Sequence, residues 1–131
     1  MPFTTPLKVE LMKEDDGIHR ALWCLTEPLR YTRGTEFLAR TFVVPAGFLT
    51  DFASVPRVPI VWELDGDIAE DCATLHDWLY STGLLSRSEA DYTLRIAMQE
   101  QGFGWARRWS LWLGVRLFGA EFYHAAKAAA P

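Results

Sequence analysis

The sequence predicts an α+β domain in which N-terminal antiparallel β-strands and hairpins are followed by about three α-helices packed on one side of the sheet. Three observations carry this prediction. Apolar and charged residues alternate with a period of two near the N-terminus, the apolar spacing becomes helical after about residue 60, and turn or capping residues stand at most boundaries between the runs.

The first run, Leu7 to Lys13, alternates apolar and charged side chains, and Asp15-Asp16-Gly17 then supplies turn chemistry before Ile18 to Thr26 resumes an apolar run. That is a hairpin pattern. A second pair is predicted from Pro28–Arg33 and Glu36–Val44 around an Arg33-Gly34-Thr35 turn. Its second strand has Phe37, Ala39, Thr41 and Val43 on one face and Leu38, Arg40, Phe42 and Val44 on the other. Pro45, Gly47, Pro56 and Pro59 then interrupt regular structure.

Asp67 with Glu70 reads as the start of the first helix, which carries Ile68, Cys72, Leu75 and Leu79 at helical spacing and runs to about Thr82. Ser86 with Glu89 is a capping box, opening a helix to about Gln101 with Ala90, Leu94, Ala97 and Met98 inward. Gly102 and Gly104 stop it. The third helix spans roughly Trp105 to Ala120, with a further turn to Ala125. The whole of 1–131 is read as one domain: 1–60 mainly strands and loop, 61–124 helical, 125–131 an Ala-rich tail.

Composition agrees with a globular domain: 131 residues, 50% of them hydrophobic, with 17 acidic and 13 basic side chains and a net charge of −4. The acidic balance argues against a nucleic-acid binder, for which a basic domain is expected. The longest stretch without a charge, Thr41–Thr50, falls far short of the roughly 20 apolar residues of a membrane span, and no secretory leader is expected. Cys24 and Cys72 lack metal or disulfide spacing and read as buried thiols.

Polar residues in apolar surroundings mark the candidate chemistry. Thr50, Asp51 and Ser54 interrupt an apolar run just after a strand; they either hydrogen-bond the loop backbone or place Asp51 as a general base, a metal ligand or an orienter of a histidine. On the first helix, His76 lies beside the apolar stripe with Tyr80 one turn on, while Asp77 is turned about 100° away. On the second, Arg87, Asp91 and Arg95 form a stripe whose plainest reading is a surface ion pair. Asp51, His76 and Asp77 are the candidate catalytic residues, and Thr50, Ser54, Tyr80, Arg87 and Asp91 the candidate binding residues. Convergence of this kind makes either a buried polar network or an active site.

No cofactor is favoured. Were a divalent cation bound, Asp51, His76, Asp77 and Asp91 would be its ligands; otherwise an arginine, Arg87 or Arg57, compensates the carboxylates. On the last helix, Trp105, Trp109 and Trp112 share a stripe with Arg108 and Arg116 beside it. Core packing is its first reading and a protein-docking surface its second, because Leu111, Val115 and Phe118 form a rival apolar stripe.

The run Pro45-Ala46-Gly47-Phe48-Leu49-Thr50-Asp51-Phe52-Ala53-Ser54-Val55-Pro56-Arg57, then Leu75-His76-Asp77-Trp78-Leu79-Tyr80, then Ser86-Arg87-Ser88-Glu89-Ala90-Asp91, and finally the Arg-rich helix together resemble the DUF1353 family over about Thr26 to Phe118. The resemblance implies a phage or prophage setting, in the host cytoplasm or on the virion, and singles out Asp51, Ser54, Pro56, His76, Asp77, Tyr80, Arg87 and Asp91. It supplies no reaction. The expected function is a phage-derived accessory or virion-associated protein; the alternative is a small, metal-assisted hydrolase of cell-wall material or a phosphoester.

Overall fold

A computed structural model of the chain describes residues 3–17, 21–34, 40–51, 70–120 and 123. Ile18, Phe37, Leu38, Ala39, Ser54, Pro56, Arg57, Pro59, Asp67 and Ile68 lie outside them. Within them the order is β1 (Val9–Lys13), β2 (Leu22–Leu25), β3 (Leu29–Arg33), β4 (Arg40–Val44), β5 (Leu49–Thr50), α1 (Glu70–Thr82), α2 (Arg87–Glu100) and α3 (Trp105–Phe118). The α+β class and the strands-then-helices order are as predicted.

The first hairpin forms, β1 pairing antiparallel with β2, and Gly17 takes the left-handed φ of 84° that its turn requires. The backbone N–H of Gly17 donates to Asp15 Oδ1 at 2.8 Å, an Asx turn. The second pair also forms, Leu29 opposite Val44 through Arg33 opposite Arg40. Its predicted facing holds: Phe42 and Val44 are buried, while Thr41 and Val43 face outward or halfway.

The strands nevertheless divide into two small sheets, β1-β2-β5 and β3-β4, rather than one. The third strand of the first sheet is β5, a two-residue strand that pairs Trp23 with Thr50 and Cys24 with Leu49. Pro45 and Gly47 flank it and hide so short a strand from any periodicity. Its effect is to bring Thr50 back beside Trp23 of β2.

Helix boundaries follow their local signals. The Ser86 hydroxyl accepts from the backbone N–H of Glu89 at the start of α2, and Gln101 closes that helix. Gly83 ends α1 with φ 62°. Beyond α3, Tyr123 N–H donates to the Gly119 carbonyl at 3.1 Å, the further turn that the sequence suggests.

The helices rest on the β3–β4 hairpin, α1 against both strands and α2 against β3, and α3 packs on α2. Leu29, Tyr31, Phe42 and Val44 of the hairpin meet Cys72, Leu75 and Leu79 of α1 and Ala90, Leu94, Ala97 and Met98 of α2 in one buried cluster. Two polar ties fix α2 to β3: Arg33 Nη1 donates to Thr93 Oγ1 at 2.8 Å, and the Tyr31 hydroxyl to Glu100 at 3.1 Å. Cys72 is buried as expected, whereas Cys24 is only half-buried.

Candidate functional site

The predicted charged stripe on α2 is not a surface feature. Arg87, Asp91 and Arg95 lie one turn apart, and each reaches α3, so the stripe is the seam between the two helices. Arg87 Nη2 donates to the carbonyls of Val115 and Arg116 at 2.8 and 2.5 Å. The Val115 carbonyl also accepts the Gly119 N–H at 2.9 Å, and a guanidinium at the last turn of a helix meets the negative end of its dipole.

Asp91 is the middle of the seam and is fully buried. Its Oδ1 accepts from the Tyr80 hydroxyl at 2.5 Å and faces His76 Nε2 at 2.7 Å, and its Oδ2 accepts from Arg116 Nη1 at 2.9 Å. The compensating arginine is therefore Arg116, not Arg87. The surface ion-pair reading of Arg87 and Asp91 fails for the same reason.

Electrostatics follow from this geometry. Burial alone would push the Asp91 carboxyl up, but hydrogen bonds from His76, Tyr80 and Arg116 outweigh it and hold the group below its ordinary range. Burial pushes His76 down more than the Asp91 carboxylate pushes it up. The imidazole is thus neutral at pH 7, and because a carboxylate only accepts, Nε2 carries the proton. Burial raises the Tyr80 hydroxyl, which stays a donor.

The rings of His76 and Tyr80 pack against each other tilted by 45°, with centroids 4.1 Å apart, and Tyr123 meets Tyr80 edge-on at 5.2 Å. The Tyr123 hydroxyl donates to the Leu85 carbonyl at 3.1 Å, closing the network over the α1–α2 turn.

Asp77 takes a different direction from His76, as their angular offset predicts. It is half-buried, and one of its carboxylate oxygens accepts a short hydrogen bond from the buried Thr50 hydroxyl. That bond sets Thr50, the end of β5, against α1; Asp51 follows it in the chain and is half-buried. Hydrogen bonds thus join His76, Tyr80 and Arg116 to Asp91, and Thr50 to Asp77. Among the described residues no three of His, Cys, Asp and Glu are grouped so as to hold a metal ion.

The tryptophan stripe of α3 faces solvent, contrary to its core reading. Trp105 is 71% exposed and Trp109 41%, with Trp112 half-buried, while Leu111, Gly114 and Val115 supply the buried face. Phe118, expected inward with Leu111 and Val115, is 64% exposed because it stands at the end of the helix. Arg116 lies between the two faces and bends back to Asp91. Sequence reading placed it only beside the tryptophans; its proximity to Val115 was the one signal that its stem could line the buried face.

The family model described as "Protein of unknown function (DUF1353)" matches residues 23–115. The chain belongs to this family. No curated protein and no solved structure matches the chain. In this DUF1353 chain the matched stretch runs from β2 to the last buried residue of α3, taking in Thr50, His76, Asp77, Tyr80 and the whole α2 seam. It stops one residue before Arg116, the cation that completes the network.

Gly119 gives a direct test of how closely the DUF1353 helices are fitted. A Cβ on it would overlap the Val115 carbonyl oxygen and lie 2.9 Å from the Tyr80 hydroxyl. Since that hydroxyl is bound to Asp91, Gly119→Ala is expected to destabilise the chain by about 1–3 kcal/mol. The urea midpoint should fall at unchanged slope.

Proposed function

We propose that this DUF1353 chain is a non-enzymatic accessory protein of a phage or prophage, in the host cytoplasm or on the virion, that docks a protein partner through the outer face of α3. The observation that carries the reading is the row Trp105, Trp109, Leu113 and Leu117, exposed by 71, 41, 50 and 64%. Steps of four residues keep this row on the side of α3 away from Leu111 and Val115, along about 18 Å of helix. Large apolar side chains in a continuous exposed row mark interaction surfaces, whereas single ones do not.

The polar constellation supports the same reading. His76 and Asp91 are both at 0% exposure, and Asp91 is engaged by three donors, so the network holds α1, α2 and α3 in register. A catalytic pair needs access to substrate. No helix among the described residues is long and apolar enough to cross a membrane.

A photo-crosslinking residue at Leu113, in the full chain expressed in its native host, is expected to yield one discrete protein adduct that is lost in Trp105→Ser. Trp105→Ser should itself leave stability within about 0.5 kcal/mol, as exposed substitutions do. Turnover of a phosphoester or of cell-wall material by the purified chain, abolished by Asp77→Asn with thermal unfolding unchanged, would replace this reading with the hydrolase.

A further inference from the structure

The α2–α3 seam ends in an arginine that lacks what the others have. Arg87 meets backbone carbonyls and Arg116 meets a carboxylate, but Arg95 meets only rings. Its guanidinium carbon lies 4.0 Å from the centroid of Trp109, 5.2 Å from Tyr92 and 5.8 Å from Trp112. Its Nε, like those of Arg87 and Arg108, is buried with no hydrogen-bond partner, and what sets it apart within the seam is that, among the described residues, no carboxylate or carbonyl pairs with its guanidinium. Ring faces attract the cation but accept few of its five N–H donors.

We infer that the partner docks through an acidic, apolar segment, one carboxylate of which closes on Arg95 while its apolar side chains cover Trp109 and Leu113. The inference rests on the docking reading above and names the chemistry of the partner. Charge complementarity selects it: the Arg95 cation lies against Trp109 of the exposed row with no carboxylate beside it among the described residues, whereas Arg116 is already paired with Asp91, and α3 itself carries no acidic residue. A cation and the apolar row therefore lie side by side on a chain of net charge −4, and a partner carboxylate there gains attraction and steering together.

Contacts with Trp109, Tyr92 and Trp112 already hold the guanidinium, so little of its freedom is lost when a carboxylate binds its fork. An anionic bilayer fits less well, because Trp109 could not enter the apolar layer without carrying the stacked Arg95 charge toward it. A nucleic acid would face the acidic remainder of the chain.

The test is selection from a random peptide library on the full chain, with affinities of the enriched peptides measured by tryptophan fluorescence. Enriched peptides are expected to place Asp or Glu among apolar residues. Their affinity should fall at least tenfold when the acid is replaced by its amide, and similarly with Arg95→Gln, with Arg95→Lys in between. The peptide-side change leaves the protein untouched, so it decides the matter even if Arg95→Gln impairs folding.

Neutral or basic peptides that still require Trp105 and Leu113 would overturn the acidic partner and leave the docking reading standing. Failure to enrich any peptide that requires that face would count against both. Binding only of phosphatidylglycerol vesicles or of a single-stranded oligonucleotide, or self-association of the chain lost in Trp105→Ser, would assign the face to that occupant instead.

Discussion

Asp91→Ala is expected to cost about 3–5 kcal/mol, the largest effect of any polar substitution in the described residues, because it leaves the Arg116 charge and the buried His76 and Tyr80 donors without their acceptor. A domain of this size has only about 5–15 kcal/mol of stability, so the variant should sit close to its unfolding transition. Tyr80→Phe removes one donor and leaves the acceptor served by two others, and should cost roughly 1–2 kcal/mol. Equilibrium urea unfolding separates the two. An Asp91→Ala cost under about 1 kcal/mol would mean that the network does not hold the helices.

Acidification from pH 7 to pH 5 is expected to lower the melting temperature through His76. Its folded pKa lies below the ordinary 6.5, so below that pH the unfolded chain binds the extra proton more readily than the folded one. The stabilising contribution is complete above about 6.5 and is lost as pH falls toward the folded value, at no more than roughly 1.4 kcal/mol per pH unit for one proton. Asp91, also held below its ordinary 3.8, has the same sign, and its contribution goes at still lower pH. His76→Gln should be less stable at pH 7 but flatter between pH 7 and 5. Equal slopes in the two chains would show that His76 takes its proton as readily folded as unfolded.

These two effects share a cause, which is that the polar residues gather where three helices meet. The sequence shows that Thr50, Asp51, His76, Asp77, Tyr80, Arg87 and Asp91 are polar groups in apolar surroundings, and buried groups of this kind require partners. Which partner each finds is another matter. His76 and Asp77 are adjacent in the chain, yet one meets Asp91 and the other Thr50, because successive helix positions point about 100° apart.

Local signals alone determined the α+β class, both hairpins, the Ser86 cap, the four inward residues of α2 and the burial of Phe42 and Val44. Each depends on period, turn chemistry or capping within a few residues, which any stretch of chain carries with it. Three things were decided only by tertiary structure. The pairing of β5 with β2 is long-range, and a two-residue strand has no period to read. The choice between the tryptophan stripe and the Leu111–Val115 stripe of α3 is a rotation about the helix axis, and with both stripes apolar no local preference fixes it. The meeting of Arg116 with Asp91, and of Arg95 with Trp109, depends on the axial offset of α2 against α3, which packing across the whole seam sets and neither helix encodes by itself.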